Sequence, residues 1–140
     1  MKKASKSYKI IVDTNIWISF LIGKNLKGLQ EYIDSQTVLI VTCNEQIQEL
    51  TDVFKKPKIK KYFTPLQIRE FFELLDESSV NVVLKTKTEL CRDLKDNYLL
   101  SLAIDSNADF LITGDNDLLI LHSIENTKII KFIDFEIIFK

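Results

Sequence analysis

Three glycines and two prolines in 140 residues leave little material for long flexible connections, so the chain reads as a compact protein with short turns. A single histidine, His122, excludes a multi-histidine zinc centre and a ribonuclease that uses two imidazoles as acid and base. It is read as structural. The two cysteines, Cys43 and Cys91, lie far apart without metal-ligand spacing, and are expected to be reduced thiols of a cytosolic protein rather than a disulfide. No run approaches the roughly 20 apolar residues of a membrane helix. The basic start MKKASKSYK passes straight into a strand pattern, without the apolar core of a signal peptide, so the expected location is the cytoplasm. An excess of positive charge is also missing: nineteen basic residues face twenty acidic ones, for a net charge of -1. A phosphate ligand would therefore need a local basic patch or metal ions. Nor is there a G-x-S-x-G elbow to present a serine nucleophile.

What is present is a regular alternation of elements. Apolar, β-branched runs at 8–12, 37–41, 80–84, 110–113 and 128–132 predict strands buried on both faces. Between them, helical spacing predicts amphipathic helices. The clearest are Ile16, Trp17, Phe20 and Leu21; Leu26, Leu29 and Ile33; Ile47, Leu50, Val53 and Phe54; Ile68, Phe71, Phe72 and Leu75; and Leu99, Leu100, Ala103 and Ile104. No repeat or interdomain linker interrupts them. The expected fold is α/β: one domain over 1–140, a three-layer α/β/α sandwich around a parallel sheet of four to five strands.

Acids stand at the ends of these elements. Asp13 follows the first strand, and Thr14 and Asn15 start the next helix. Glu49 sits about 40° from Val53 on its helix, on the rim of the apolar stripe. Asp96 opens the helix that buries Leu99 and Leu100, one turn outside the packed layer. Asp115 leaves the strand 110–113 through Gly114, read as a tight turn or close backbone approach, and Asp117 begins the following turn. Strand ends and helix starts of a parallel sheet converge on one crevice. Carboxylates gathered there repel one another, and a metal, a proton or a basic ligand must offset the cost. Hard carboxylate oxygens suit Mg²⁺ or Mn²⁺. A different surface is basic: Lys55, Lys56, Lys58, Lys60 and Lys61 surround Pro57, with Tyr62 and Phe63 next. It is read either as a solvated face or as a nucleic-acid contact made by charge and stacking.

The phrases IIVDTNIWIS, ELTDVFKKPKI and RDLKDNYLLSLAIDSNADFLITGDNDLL, with their spacing, resemble the PIN-domain family over nearly the whole chain. They look most like the toxin components of bacterial toxin-antitoxin pairs. The resemblance implies a Mg²⁺- or Mn²⁺-dependent endoribonuclease that hydrolyses RNA phosphodiester bonds with metal-activated water. It places the acidic quartet on Asp13, Glu49, Asp96 and Asp115, with Asp13, Asp96 and Asp115 as metal ligands. Thr14, Asn15, Thr113 and Asp117 would support them, Thr14 and Asn15 by hydrogen bonds to the first carboxylate. Implied partners are an RNA substrate, a protein antitoxin offering a basic side chain to the acids, and a second copy in a homodimer. For that dimer the candidate aromatics are Trp17, Tyr32 and Tyr62. The sequence departs from the pattern at Asn97, where relatives often carry a second acid, and at FIDFEIIFK, which lacks the proline that commonly begins the last helix.

Two acid-pocket alternatives fail on single residues. A receiver domain needs an aspartate after the third strand, where Leu84 and Lys85 stand; a haloacid-dehalogenase-type phosphatase needs Asp-x-Asp after the first, where Asn15 takes the second place. The alternative of another class is a PIN-like module that binds RNA or protein without turnover.

Overall fold

The computed structural model describes residues 7–23, 26–88, 90 and 96–139. Cys91 lies outside them. The elements run β1 (Tyr8–Val12), α1 (Thr14–Gly23), α2 (Leu26–Asp34), β2 (Val38–Thr42), α3 (Asn44–Lys55), α4 (Pro57–Lys60), α5 (Pro65–Ser78) and β3 (Ser79–Asn81). They continue with α6 (Asn97–Ser106), β4 (Phe110–Ile112), α7 (Asn116–Leu119), β5 (Ser123–Ile124), β6 (Thr127–Ile130) and α8 (Phe132–Ile138).

The six strands form one sheet in the order β3-β2-β1-β4-β6-β5, parallel except for the β5–β6 pair. β1 lies in the middle, pairing Ile10 with Ile40 of β2 on one side and with Phe110 of β4 on the other. Continuous apolar strands suit this position, because Ile10 and Val12 face one helical layer and Ile11 the opposite one. The first layer contains Trp17, Phe20, Leu50, Phe71 and Phe135 from α1, α3, α5 and α8; the second contains Leu99, Leu100 and Leu102 of α6 and Leu118 of α7. The three-layer α/β/α expectation therefore holds, with six strands instead of four to five.

The extra strand is β5, two residues long, which turns back on β6 through Glu125 at φ 50°. So short an antiparallel pair has no hydrophobic period to betray it. At 80–84 only the first two residues lie within strand β3, since pairing to β2 ends at Asn81 and the chain continues extended with Val82 N–H donating to Thr42 O at 2.8 Å. Residues 128–132 likewise divide, Phe132 opening α8 rather than ending a strand. That helix starts without proline: Lys131 is extended, and the helix is held by Phe135, which is fully buried. Phe135 meets Tyr32 edge-on at 5.3 Å and Phe110 at 5.9 Å between ring centroids.

α5 opens with a complete capping box, Gln67 N–H donating to the Thr64 hydroxyl and Thr64 N–H to the Gln67 side chain. Trp17 and Tyr32 are core residues, Trp17 being buried edge-on against Phe71, so of the three aromatics offered to a dimer contact only Tyr62 is exposed. No helix among the described residues is long and apolar enough to cross a membrane.

Candidate functional site

The chain lays down β2 and β3 on one side of β1, then crosses to build β4, β6 and β5 on the other. The reversal point lies between β1 and β4, and the crevice outside the carboxyl ends of such strands is where α/β sheets bind ligands. Asp13 ends β1 and Thr113 ends β4 at that point. Their backbones remain in the ladder: Asp13 N–H donates to Ile112 O at 2.9 Å and Thr113 N–H to Ile130 O at 3.0 Å.

Asp13 is almost fully buried. The Thr113 hydroxyl donates to its Oδ2 at 2.7 Å and Asn15 N–H to its Oδ1 at 3.3 Å. Burial pushes its carboxyl above the ordinary range; these two hydrogen bonds oppose the rise, and the negative charges of Glu49 and Asp115 add to it. The same Thr113 hydroxyl accepts Asp115 N–H at 3.0 Å, and Asp115 caps α7 by accepting Asp117 N–H at 2.8 Å. One hydroxyl thus ties the two strand-end acids together. The role expected of Thr14 falls to Thr113, because the Thr14 hydroxyl instead lies 3.3 Å from the Tyr98 hydroxyl.

Tyr98, on the first turn of α6, also donates to Glu49 Oε1 at 2.5 Å. Burial raises the Tyr98 phenol well above its usual range, and the Glu49 carboxylate raises it further, so the hydroxyl stays a donor. A crevice of about 450 Å³ brings Asp13, Glu49, Asp96 and Tyr98 together, with Lys56 on its border. Asp115 does not line this crevice but is close enough for its charge to act on Asp13. Asp96 immediately precedes α6 without its side chain capping the helix. Of the five lysines, only Lys56 lines the crevice; all five are exposed, and Lys61 reaches over the Tyr62 ring at 5.3 Å. Gly114 is not demanded by the backbone, since a Cβ there would lie 3.8 Å from Ile16 Cδ1, an ordinary contact. His122 is exposed, in the left-handed turn before β5. Cys43 is buried, and burial pushes its thiol up to about 11.

Two residues of this region carried no functional signal in sequence. Tyr98 looked like an ordinary helix residue beside Asp96. Gln46 is fully buried, its side-chain amide donating to Val12 O at 2.6 Å while its Oε1 accepts the Thr42 hydroxyl at 2.6 Å. Its signal was positional: one helical turn before Leu50, a polar residue occupies a core site.

Among the described residues, no group of three acids, histidines or cysteines is drawn together as a finished metal cage. The donor set is nevertheless all oxygen, and Asp13 carries the repulsion of two neighbouring carboxylates that a cation would relieve. Mg²⁺ and Mn²⁺ need only one or two carboxylates, the rest of the shell being water and substrate phosphate. On that chemistry the residues fit such an ion.

A parallel sheet with an acidic crevice at its reversal point defines an α/β protein of the nuclease type. A family model described as PIN domain matches residues 9–117, and the chain belongs to that family. PIN domains are generally nucleases, typically use divalent metal ions and engage nucleic acid. An uncharacterized protein from Methanocaldococcus jannaschii is 33% identical over 126 residues, covering 86% of this chain and 80% of that protein. No solved structure matches.

Proposed function

We propose that the protein is a Mg²⁺- or Mn²⁺-dependent endoribonuclease, with Asp13, Glu49, Asp96 and Asp115 as its working acids. The observation that carries this reading is the buried Asp13 carboxylate, held by Thr113 and pressed by Glu49 and Asp115. Asp13, Asp96 and Asp115 would hold the cation, and Asp117 would support Asp115 through the turn of α7. When bound, the cation lowers the pKa of water and offsets charge building on the phosphoryl oxygens.

The side chains supply position and proton transfer. Glu49, held at Oε1 by Tyr98, takes a proton from the attacking water on Oε2. The water oxygen bonds to phosphorus, the P–O3′ bond breaks, and the products carry a 5′-phosphate and a 3′-hydroxyl. Asn15 N–H and the Thr113 hydroxyl keep Asp13 aimed at the crevice. Lys56 borders the entrance for substrate phosphate, with Lys55, Lys58, Lys60 and Lys61 beyond it.

A panel of structured RNAs incubated with Mn²⁺ and with a chelator tests the assignment. Cleavage that needs the ion and leaves 5′-phosphate ends is expected; RNA binding without cleavage would reduce the protein to a binding module. Tyr98→Phe is expected to weaken Mn²⁺ binding about tenfold in calorimetry of the RNA-free protein, through loss of the contact that orients Glu49. An unchanged affinity would remove Tyr98 from the site. In the toxin reading, supported by the sequence resemblance, the antitoxin covers the crevice with a segment whose Arg or Lys meets the acids.

A further inference from the structure

Beside the acidic crevice runs a second groove of about 450 Å³, and Glu45 and Tyr98 line both. One wall of it is the segment 84–88, the other α6, which contributes Asn97 and Ser101 one helical turn apart. The stretch 82–88 belongs to no helix or strand, yet its exposure alternates strictly. Val82, Leu84, Thr86 and Thr88 are half-buried, while Val83, Lys85 and Lys87 are exposed. Such a period of two places Lys85 and Lys87 on one outward face, about 6.6 Å apart along the chain.

A single carboxylate fixes this irregular stretch. Asp105 of α6 accepts Lys85 N–H at 2.6 Å, Thr86 N–H at 3.0 Å and the Thr86 hydroxyl at 2.5 Å. Below, Val82 and Leu84 pack on the second core layer. The two lysines are therefore mounted on a ledge rather than carried on a loose loop, which lowers the entropy lost when they meet a ligand.

We infer that this ledge is a backbone-phosphate site for an unpaired RNA strand, which leaves the acidic crevice past Tyr98 and lies along 84–88 with successive phosphates on Lys85 and Lys87. The inference rests on the nuclease reading and adds where the strand goes. Two observations favour a single strand. The acids lie at the bottom of a concavity with Asp13 almost fully buried, so the scissile link must descend to them. The lysine spacing follows an extended chain, and phosphate contacts of this kind read charge and not sequence.

The test uses the full chain carrying Lys85→Ala with Lys87→Ala, and Lys128→Ala at the opposite end of the sheet as a control. Cleavage kinetics and fluorescence anisotropy are measured on a labelled single-stranded oligoribonucleotide and on duplex RNA. For the single strand, KM is expected to rise about tenfold with kcat unchanged. The slope of log affinity against log salt should become shallower by about 1.4, the value for two lost phosphate contacts on a single strand. The control should match the parent. If the parent cleaves RNA while the double variant keeps its KM and salt slope, the ledge is refuted and the nuclease stands. An equal loss on duplex RNA would refute the unpaired strand, and a parent that neither binds nor cleaves RNA overturns both readings. Lys87→Glu alone, with melting followed in parallel, repeats the comparison should the double variant fold poorly.

Discussion

Asp13→Asn is expected to abolish RNA cleavage to within about a thousandth of the parent rate and, at the same time, to raise the melting temperature. The loss follows from removing a ligand whose cation supplies on the order of 4 kcal/mol of transition-state stabilisation, each 1.36 kcal/mol being tenfold in rate. The gain follows from burial. Burial and the charges of Glu49 and Asp115 raise the folded carboxyl above its unfolded value, so the folded state holds its proton more readily than the unfolded one. Stability present while Asp13 is protonated is then lost as pH rises from the ordinary carboxylate range through the raised folded value. Asparagine carries no charge to lose. Its oxygen can keep the Thr113 hydroxyl at the position of the 2.7 Å bond, and its amide replaces the oxygen that made the weaker 3.3 Å contact with Asn15. Thermal melting of the metal-free protein across acid to neutral pH should show a flatter profile for the variant. A lower melting temperature together with unaltered cleavage would remove Asp13 from the centre of the site.

Phe135→Ala should destabilise the protein by about 3–5 kcal/mol, the range for truncating a buried aromatic. The ring is fully buried between Tyr32 of α2, Phe110 of β4, Phe132 and Phe139, with centroid distances of 5.3, 5.9, 6.1 and 4.6 Å. Edge-to-face pairs of this kind add about 0.5–1.5 kcal/mol beyond area burial. Chemical denaturation gives the number. A cost below about 1 kcal/mol would mean that α8 is not part of the cooperative unit. Since Phe110 enters β4 at the end away from Asp115, cleavage well below the melting temperature is expected to survive.

The sheet and most helices were legible because long buried strands and amphipathic helices impose their periods on the sequence. β1 falls at 8–12 as expected, and Thr64-Pro65 announces the capping box of α5. β5 and the four-residue α4 were not legible, being too short to show a period. Acid positions at strand ends were legible for the same reason as the strands. Which groups would orient them was not, because partners such as Thr113 for Asp13 and Tyr98 for Glu49 lie 100 and 49 residues away in the chain. Gly114 misled for a general reason: a glycine at a turn suggests a backbone need even where an alanine would fit.

Gln46 and Glu49 stand three residues apart on α3, about 4.5 Å along its axis. Through Gln46 the helix grips the last carbonyl of β1, the residue before Asp13, and also the Thr42 hydroxyl at the end of β2. A movement of α3 would carry Glu49 and strain both grips at once, so the gap between Glu49 and Asp13 is set when the protein folds. The jaw arrives at its substrate already open to a fixed width, and it is the flexible polynucleotide that must bend to enter.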